Sequence, residues 1–231
     1  QISDVARMHP AAAQGLRSLF RPVPVPLHDR GAARDDFAVL ASGPSMSQEV
    51  ADMVRAAGVP AIVTNNTWQL APWAWALYAA DAEWWAHESN RAAHGFAGHR
   101  VSLTRIKGVH ELRNTGRRGF DPDPSAVRTG STSGYQAVHV AVHTGAAQVL
   151  LCGFDYRHTG GEKHWHGDHV AGLRNTDPDL WPTWVSHFES LRDELPAGCE
   201  VINCTPGSAI GAFRRMDLET ALAESTELAT P

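Results

Sequence analysis

From Asp36 onward, short apolar segments alternate with segments of helical periodicity, and this alternation constrains the fold more than any other feature of the chain. The segment 37–41 is apolar, a turn follows it, and the segment 47–57 repeats its apolar residues at helical spacing. The pattern continues with strands predicted at 61–64, 100–106, 149–154 and 200–203 and helices predicted at 68–79, 133–143 and 180–195. Strands that alternate with helices predict an α/β fold, here a Rossmann-like, mostly parallel sheet with helices on both faces.

Two stretches depart from this alternation. Residues 1–35 carry a proline at every second position from Pro22 to Pro26, which favours an extended segment, and we predict a peripheral N-terminal arm there. Residues 36–231 then form a single α/β domain. Within it, residues 107–128 are polar and rich in glycine and proline, which is typical of a long loop, and we predict that they form a lid.

The charge balance and the cysteines argue against several classes of protein. With 20 basic and 25 acidic side chains the formal net charge is −5, which gives no general attraction to nucleic acid or to an anionic membrane. No segment approaches the roughly 20 apolar residues of a transmembrane helix. The three cysteines have no C-x-x-C spacing, and a chain of this size needs no disulfide scaffold, so we expect a cytoplasmic protein.

Polar turns stand at the predicted strand ends, where ligands bind in open α/β sheets. Ser42-Gly43-Pro44-Ser45 follows the first strand and precedes a helix, whose N-terminal N–H groups favour an anion such as phosphate. Asn65 follows the second strand, where its amide is placed to contact a base or a sugar. The same residues are also typical of a tight turn with a helix cap, and we predict a capping box between Ser45 and Gln48.

A second polar turn precedes the helix predicted at 133–143. Ser131-Thr132-Ser133 supplies three hydroxyls before Gly134, which predicts a second cradle for an anion or a sugar, and the next strand leads directly to Asp155. Within the helix, His139 and His143 have the i, i+4 spacing of a metal-binding pair. The residue after His139 is not the glutamate of zinc proteases, so we interpret both as packing or surface histidines.

The string His164-x-His166-x-Asp168-His169 follows and matches the metal-binding string of the metallo-β-lactamase fold. That fold needs further histidine and aspartate ligands downstream, whereas His187 is the one histidine left after the loop, so we predict no metal. A histidine in a polar loop beside a ligand crevice titrates near neutrality and is suited to deprotonate an acceptor hydroxyl. A solvated loop that is merely rich in histidine is the alternative interpretation.

The order of these motifs resembles that of bacterial sialyltransferases that use a CMP-activated sugar, and of a wider group of Rossmann-like proteins with a G-P-S turn. The resemblance covers about residues 37–210 and rests on Ser42-Gly43-Pro44-Ser45, Asn65, Thr132-Ser133-Gly134, Gly153-Phe154-Asp155, the histidine loop, Asn175-Thr176-Asp177 and Cys204-Thr205-Pro206-Gly207-Ser208. It implies a nucleotide-binding domain in which nucleotide and donor contact Ser42, Gly43, Pro44, Ser45, Asn65, Thr132, Ser133, Gly134, Asp155 and Ser208.

The resemblance also implies catalytic residues. A loop histidine ahead of N-T-D is the family's general base, which makes His169 the first choice and His166 the second. Two family tyrosines that stabilise the leaving phosphate fall near Arg157 and Lys163. We expect these cations to take that role, because the departing phosphate gains negative charge. A different, more highly charged donor is the alternative interpretation of the two cations. Ser42 replaces an asparagine of the family, and a glycine replaces the asparagine of its Pro-Asn-Ser.

Together these observations predict an inverting glycosyltransferase that moves a sugar from a nucleotide-activated, CMP-sugar-like donor to an acceptor hydroxyl, with no metal or other cofactor required. One alternative is a Mg²⁺- and ATP-dependent pyrophosphokinase, as in hydroxymethylpterin pyrophosphokinases with a similar G-P-S fold, with Asp155 and Asp168 as metal ligands. The others are a catalytically silent nucleotide-binding or assembly protein and, last, a metal-dependent hydrolase. The sequence leaves the acceptor open between glycan, lipid, protein and nucleic acid.

Overall fold

A computed structural model describes residues 36–227, so the predicted N-terminal arm lies outside the described residues. The strands are β1 Asp36–Leu40, β2 Ala61–Thr64, β3 Ala76–Tyr78, β4 His99–Ser102, β5 His110–Glu111, β6 Arg113–Asn114, β7 Ala126–Val127, β8 Gln148–Cys152, β9 Glu200–Asn203 and β10 Arg214–Arg215. The α-helices are α1 Gln48–Ala56, α2 Ala82–Ala86, α3 Ser133–His143, α4 Trp181–Asp193 and α5 Leu218–Glu227. Short 3-10 helices occupy Asn65–Gln69, Glu88–Gly95 and Pro178–Leu180.

Eight strands form one sheet in the order β10-β9-β8-β1-β2-β3-β4-β5, and every neighbouring pair in it is parallel. A separate small sheet pairs β6 with β7. The chain builds outward from β1 to β5 on one side and from β8 to β10 on the other. The order of strands therefore reverses between β1 and β8, and such a switch point opens a crevice at the carboxyl ends of the strands.

The sheet separates two hydrophobic cores, because alternate side chains of each strand point to opposite faces. Val39 and Leu151 pack with α3 and α4 on one face, whereas Leu40 and Leu150 pack with α1, α2 and α5 on the other. Each such fully buried side chain contributes roughly 1.5–3 kcal/mol. The predicted Rossmann-like α/β sheet with helices on both faces is confirmed, and the covered faces explain why the strands are apolar throughout.

Most predicted elements are present, with one error. The strands at 61–64 and 200–203 and the helix at 133–143 are confirmed residue for residue. The helix predicted at 68–79 is wrong, since that segment holds the end of a 3-10 helix and then strand β3. Pro72 lacks the N–H that a helix interior requires. Strand β3 pairs on both edges, with β2 and β4, so sheet pairing overrides the local pattern.

Helix α1 begins differently from its prediction. Its cap is Ser47, whose Oγ accepts a hydrogen bond from the N–H of Val50 at 3.3 Å. The predicted capping box between Ser45 and Gln48 is wrong. The Ser45 hydroxyl instead donates to the carboxylate of Asp155, and the Gln48 amide donates to groups outside the helix cap.

The segment predicted as a lid, residues 107–128, carries the short strands β5, β6 and β7. It is fixed to the core by Phe120, whose ring centroid lies 5.1 Å from that of His139 and 5.0 Å from that of His143. Both histidines are fully buried on α3. The packing interpretation of these two histidines is therefore confirmed, and they are not on the surface.

Candidate functional site

A cavity of about 960 Å³ opens at the carboxyl end of the sheet, beside the switch point. Its walls include the residues that directly follow β1, β2 and β8, together with the N-terminus of α3 and the histidine loop. Small-molecule sites in proteins are concave and of roughly 300–1,000 Å³, so this cavity has the size of a ligand site. Among the described residues that line the cavity, none belongs to the segment 107–128 that was predicted to form a lid.

The structure brings nine of the predicted site residues into this cavity: Ser42, Gly43, Asn65, Thr132, Ser133, Gly134, Asp155, Lys163 and His169. Five others do not line it: Pro44, Ser45, His166, Arg157 and Ser208. Ser208 is buried and donates to the carbonyl of Phe154 at 2.6 Å. Arg157 is exposed, and its guanidinium lies against Gly207. A Cβ added to Gly207 would lie 2.9 Å from a guanidinium nitrogen of Arg157.

Backbone strain is concentrated at the cavity. Among the described residues, Asn65, Ser131 and Tyr156 are the three non-glycine residues with positive φ, at 46°, 65° and 50°. All three line the cavity. Such conformations cost of order 1–3 kcal/mol each, least for asparagine, and they persist where surrounding contacts enforce them, often at functional sites.

The first turn is held by a carboxylate. Asp155 accepts hydrogen bonds from the Ser45 N–H at 3.2 and 3.3 Å, from the Ser45 hydroxyl at 2.7 Å and from Thr159 at 3.0 Å. A Cβ at Gly43 would collide with the Asp155 carboxylate and with the carbonyl of Gly153, so only glycine fits there. The N–H and the hydroxyl of Ser45, which the sequence predicted to bind a phosphate, are therefore already bonded to the Asp155 carboxylate.

The N-terminus of α3 faces the cavity with its own donors. Thr132 caps the helix, because its Oγ1 accepts from the N–H of Tyr135 at 3.3 Å, and it also bonds the hydroxyl of Tyr156 at 2.8 Å. Burial raises the pKa of Tyr156, so this hydroxyl stays protonated. Lys163 lies on the same cavity, with its Nζ 3.3 Å from Asp168. The helix dipole and the Tyr156 hydroxyl together favour an anionic group at the α3 N-terminus.

The histidine loop is docked on the first turn. The carbonyl of Ser42 accepts from the Trp165 N–H at 3.2 Å and lies 3.3 Å from Nδ1 of His164. Because a carbonyl only accepts, this nitrogen carries the proton, and Nε2 accepts from the Thr176 hydroxyl at 3.0 Å. Burial, followed by the charge of His169, lowers the pKa of His164 to about 4. His164 is therefore a neutral structural link with both nitrogens bonded.

His166 is also engaged outside the cavity. The Oδ1 of Asn66 accepts from the indole N–H of Trp84 at 3.0 Å, which leaves the amide nitrogen facing Nε2 of His166 at 3.5 Å. Burial, followed by His164, lowers the pKa of His166 to about 4. Its position makes His166 a poorer candidate base than the sequence suggested.

His169 is the loop histidine that combines cavity access with unbonded ring nitrogens. Its backbone N–H donates to Oδ1 of Asn175 at 2.6 Å, which fixes the loop, while its Nδ1 is buried without a hydrogen-bond partner. Burial lowers the pKa of His169, whereas Asp168 and Asp81 raise it. A neutral imidazole at pH 7 is the form that accepts a proton.

The three loop histidines lie together, with ring centroids 5.0–5.3 Å apart. Nevertheless, no group of histidine, cysteine or carboxylate side chains within residues 36–227 is arranged to hold a metal ion. The hydrogen bonds of His164 explain this, since neither of its nitrogens is available to a metal.

Sequence reasoning missed several cavity residues: Asp81, Glu83, Trp84, Tyr156, Arg174, Trp181 and Trp184. Asp81 and Glu83 follow β3, the strand mistaken for a helix, so the signal of an acid after a strand was lost. Trp181 and Trp184 stand one turn apart at the start of α4, a spacing visible in the sequence. Tyr156 precedes Arg157, the residue to which a phosphate-binding role was assigned.

In comparisons with known proteins, no family model, curated protein or solved structure matches this chain. Within residues 36–227, no helix has the length and apolar character needed to cross a membrane. The fold and the cavity define the class of protein, which is a Rossmann-like α/β protein with a candidate ligand site at the switch point of a parallel sheet.

Proposed function

We propose that the protein is a glycosyltransferase that moves a sugar from a nucleotide-activated donor, of the CMP-sugar type, to an acceptor hydroxyl. The observation that carries this proposal is the pairing of functions on one cavity: a histidine suited to act as base and an anion-favouring helix N-terminus. The proposal also draws on the motif order that resembles bacterial sialyltransferases. Neither feature requires a metal ion.

In the proposed reaction, His169 takes the proton of the acceptor hydroxyl as the acceptor oxygen bonds to the anomeric carbon. The bond from that carbon to the phosphate oxygen breaks, and the phosphate leaves with the electron pair. Attack opposite the leaving group inverts the configuration. The α3 N-terminus with Tyr156 beside it, and Lys163 on the same cavity, stabilise the charge that develops on the phosphate.

The nucleoside is proposed to lie at the first turn, near Ser42, Gly43 and Asn65. The buried Oδ1 of Asn65 has no hydrogen-bond partner in the protein, so a ligand N–H or O–H would satisfy it. Asp155 repels a phosphate from the Ser45 N–H and hydroxyl. The phosphate end of the donor is therefore assigned to the α3 side of the cavity.

A ligand-binding experiment tests the donor. Thermal unfolding is followed with CMP, CDP, UDP, GDP and ATP, each with and without Mg²⁺. A ligand at 100 times its Kd adds about 2.7 kcal/mol, or a rise in Tm of about 5–10 °C for a protein of this size. The expected result is a metal-independent rise with CMP. No rise with any nucleotide contradicts the proposal.

A transfer assay tests the base. His169→Ala is expected to lower kcat by about 10²–10⁴-fold, the usual contribution of a general base. His166→Gln is the matched control from the same loop and is expected to retain activity, because His166 does not line the cavity. Equal activity of His169→Ala and wild type refutes the assignment. Nucleotide binding without any transfer supports the catalytically silent alternative instead.

The pyrophosphokinase alternative receives less support from the site. Its predicted Mg²⁺ ligands are Asp155 and Asp168, but Asp155 is bonded to Ser45 and Thr159, and Asp168 is exposed and paired with Lys163. A rise in Tm that needs both ATP and Mg²⁺ would favour this alternative over sugar transfer.

A further inference from the structure

We propose that the start of helix α4 binds an aromatic ring of the acceptor against Trp181 and Trp184, so that the acceptor is an alcohol bearing an apolar ring. The inference rests on the proposed function only in calling this ligand the acceptor. The packing of the two tryptophans, the exposed leucine beside them and the hydrogen bonds around them support it.

Trp181 and Trp184 differ from the other tryptophans of the chain. Of the eight tryptophans, six pack in one of the two hydrophobic cores, whereas these two belong to neither core. Farther along the same face of α4, Phe188 and Leu191 are buried against the sheet. The apolar stripe of the helix therefore continues beyond the core. Its first two members are partly exposed and line the cavity.

Neighbouring rings hold the two indoles. The ring centroid of Trp184 lies 6.5 Å from that of Tyr156, with an angle of 84° between the ring planes. The centroid of Trp181 lies 5.0 Å from that of His158, with an angle of 66°. Because the Tyr156 hydroxyl bonds Thr132, the cap of α3, Trp184 lies beside the end of the cavity assigned to the phosphate. A ring bound here is therefore next to the site of transfer.

Leu180 extends the apolar surface of the two tryptophans. It directly precedes Trp181, is 44% exposed and lines the same cavity. Within residues 36–227, Val170 is the other large hydrophobic side chain that is exposed, and it does not line the cavity. Single exposed hydrophobic residues are ordinary, but Leu180 adjoins two partly exposed indoles. An aromatic ring would displace water from all three side chains and would stack on the indoles.

The segment that leads into α4 offers few free groups to a sugar. Asn175 accepts from the backbone N–H of His169 at 2.6 Å, and the Thr176 hydroxyl donates to Nε2 of His164 at 3.0 Å. Asp177 accepts from the N–H two residues further on at 3.1 Å. A sugar ring needs hydrogen-bond partners for its hydroxyls as well as a stacking surface, whereas an aromatic ring needs the surface alone. The bonded polar groups therefore favour an apolar ring.

A pair of ligands that differ in the ring tests the proposal. Binding of phenyl β-glucoside and methyl β-glucoside is measured by calorimetry without any donor. The two share the sugar, so the ratio of their Kd values isolates the aromatic ring. The phenyl compound is expected to bind the wild type about 10–100-fold more tightly, as expected for burial of a large apolar side chain. Equal affinity, or no binding of phenyl β-glucoside, overturns the proposal.

Matched substitutions test the surface. Leu180→Ser and Val170→Ser change similarly exposed apolar residues, but Leu180 alone of the two lines the cavity. Leu180→Ser is expected to lower the ratio of Kd values about 3–10-fold, and Val170→Ser to leave it unchanged. Trp184→Ala is expected to bring the ratio close to one, whereas Trp184→Phe keeps most of it. Equal effects of the two serine substitutions contradict the proposal.

NMR of the indole N–H groups tests the location. In protein labelled with ¹⁵N-tryptophan, phenyl β-glucoside is expected to shift the signals of Trp181 and Trp184, assigned by substitution, and to leave the core residues Trp68 and Trp73 unmoved. Shifts confined to other tryptophans overturn the proposal. These measurements need neither donor nor turnover. Absence of nucleotide binding and transfer therefore refutes the proposed function, while the glucosides still decide whether the ring binds at α4.

Discussion

His139 and His143 are buried in the core between α3 and Phe120, and acid is expected to unfold the protein through them. Nδ1 of His139 donates to the carbonyl of Tyr135 at 3.3 Å, and Nε2 accepts from the N–H of Arg128 at 3.4 Å. A second proton on His139 would occupy Nε2, which accepts the Arg128 N–H in the neutral ring, so this hydrogen bond would be lost. Burial, the largest cause in each case, lowers the pKa of His139 to about 3 and that of His143 to about 4.

The sign and size of the effect follow from linkage. In the unfolded chain both histidines become protonated as the pH falls below their ordinary pKa of about 6.5. In the folded state they become protonated only near pH 3–4, because burial lowers their pKa. Stability is therefore complete above pH 6.5 and falls as the pH drops toward 4. When the pH is lowered from 7 to 5, each histidine reduces the free energy of unfolding by about 2 kcal/mol, and the two together reduce it by about 4 kcal/mol. That is a large part of the 5–15 kcal/mol typical of a folded domain.

Urea unfolding at pH 7 and pH 5 measures this loss. With a slope of about 2 kcal/mol/M, His139 and His143 together are expected to contribute about 2 M to the fall of the wild-type midpoint. His143→Gln lowers stability at pH 7 but lessens the fall between pH 7 and pH 5 by about 2 kcal/mol. His158→Gln, at an exposed site, is the control and keeps the wild-type fall. Equal stability of the wild type at both pH values, or an equal fall in His143→Gln, refutes the reasoning.

Three substitutions test the contacts around the site. Gly43→Ala is expected to cost about 2–3 kcal/mol in urea unfolding, because its Cβ collides with Asp155, whereas Gly95→Ala, with open space around it, is the unaffected control. Thr176→Val leaves Nε2 of His164 unpaired and costs about 1–3 kcal/mol; Thr176→Ser keeps the bond, and equal stability of the two variants contradicts this account. Tyr156→Phe loses its bond to Thr132, about 1 kcal/mol, and is expected to weaken CMP binding in calorimetry; unchanged affinity argues against phosphate contact.

The fold and the centre of the site were predictable because they depend on regular features. Parallel strands bring their carboxyl ends to one edge, so Gly43, Asn65 and Asp155 meet even though they are far apart in sequence. Asp81 was missed because a strand of three residues, surrounded by tryptophan and alanine, carries too little periodicity to be told from a helix.

Side-chain direction after β8 was beyond the sequence pattern. Tyr156 has a φ of 50°, and at this bend Tyr156 rather than Arg157 lines the cavity. The residue type alone does not predict a positive φ at a tyrosine. The partner of Ser45 was equally hidden, since Asp155 lies 110 residues further along the chain and no local rule couples the two.

The contact between the histidine loop and the first turn has a consequence for the order of folding. His164 and the carbonyl of Ser42 are 122 residues apart in sequence, so their contact cannot stabilise the chain until β1 and β8 have paired. The loop that carries His169 is then among the last parts to form and, with its backbone largely irregular, among the first to open. Amide exchange of Trp165 would therefore report on the assembled site separately from the sheet beneath it.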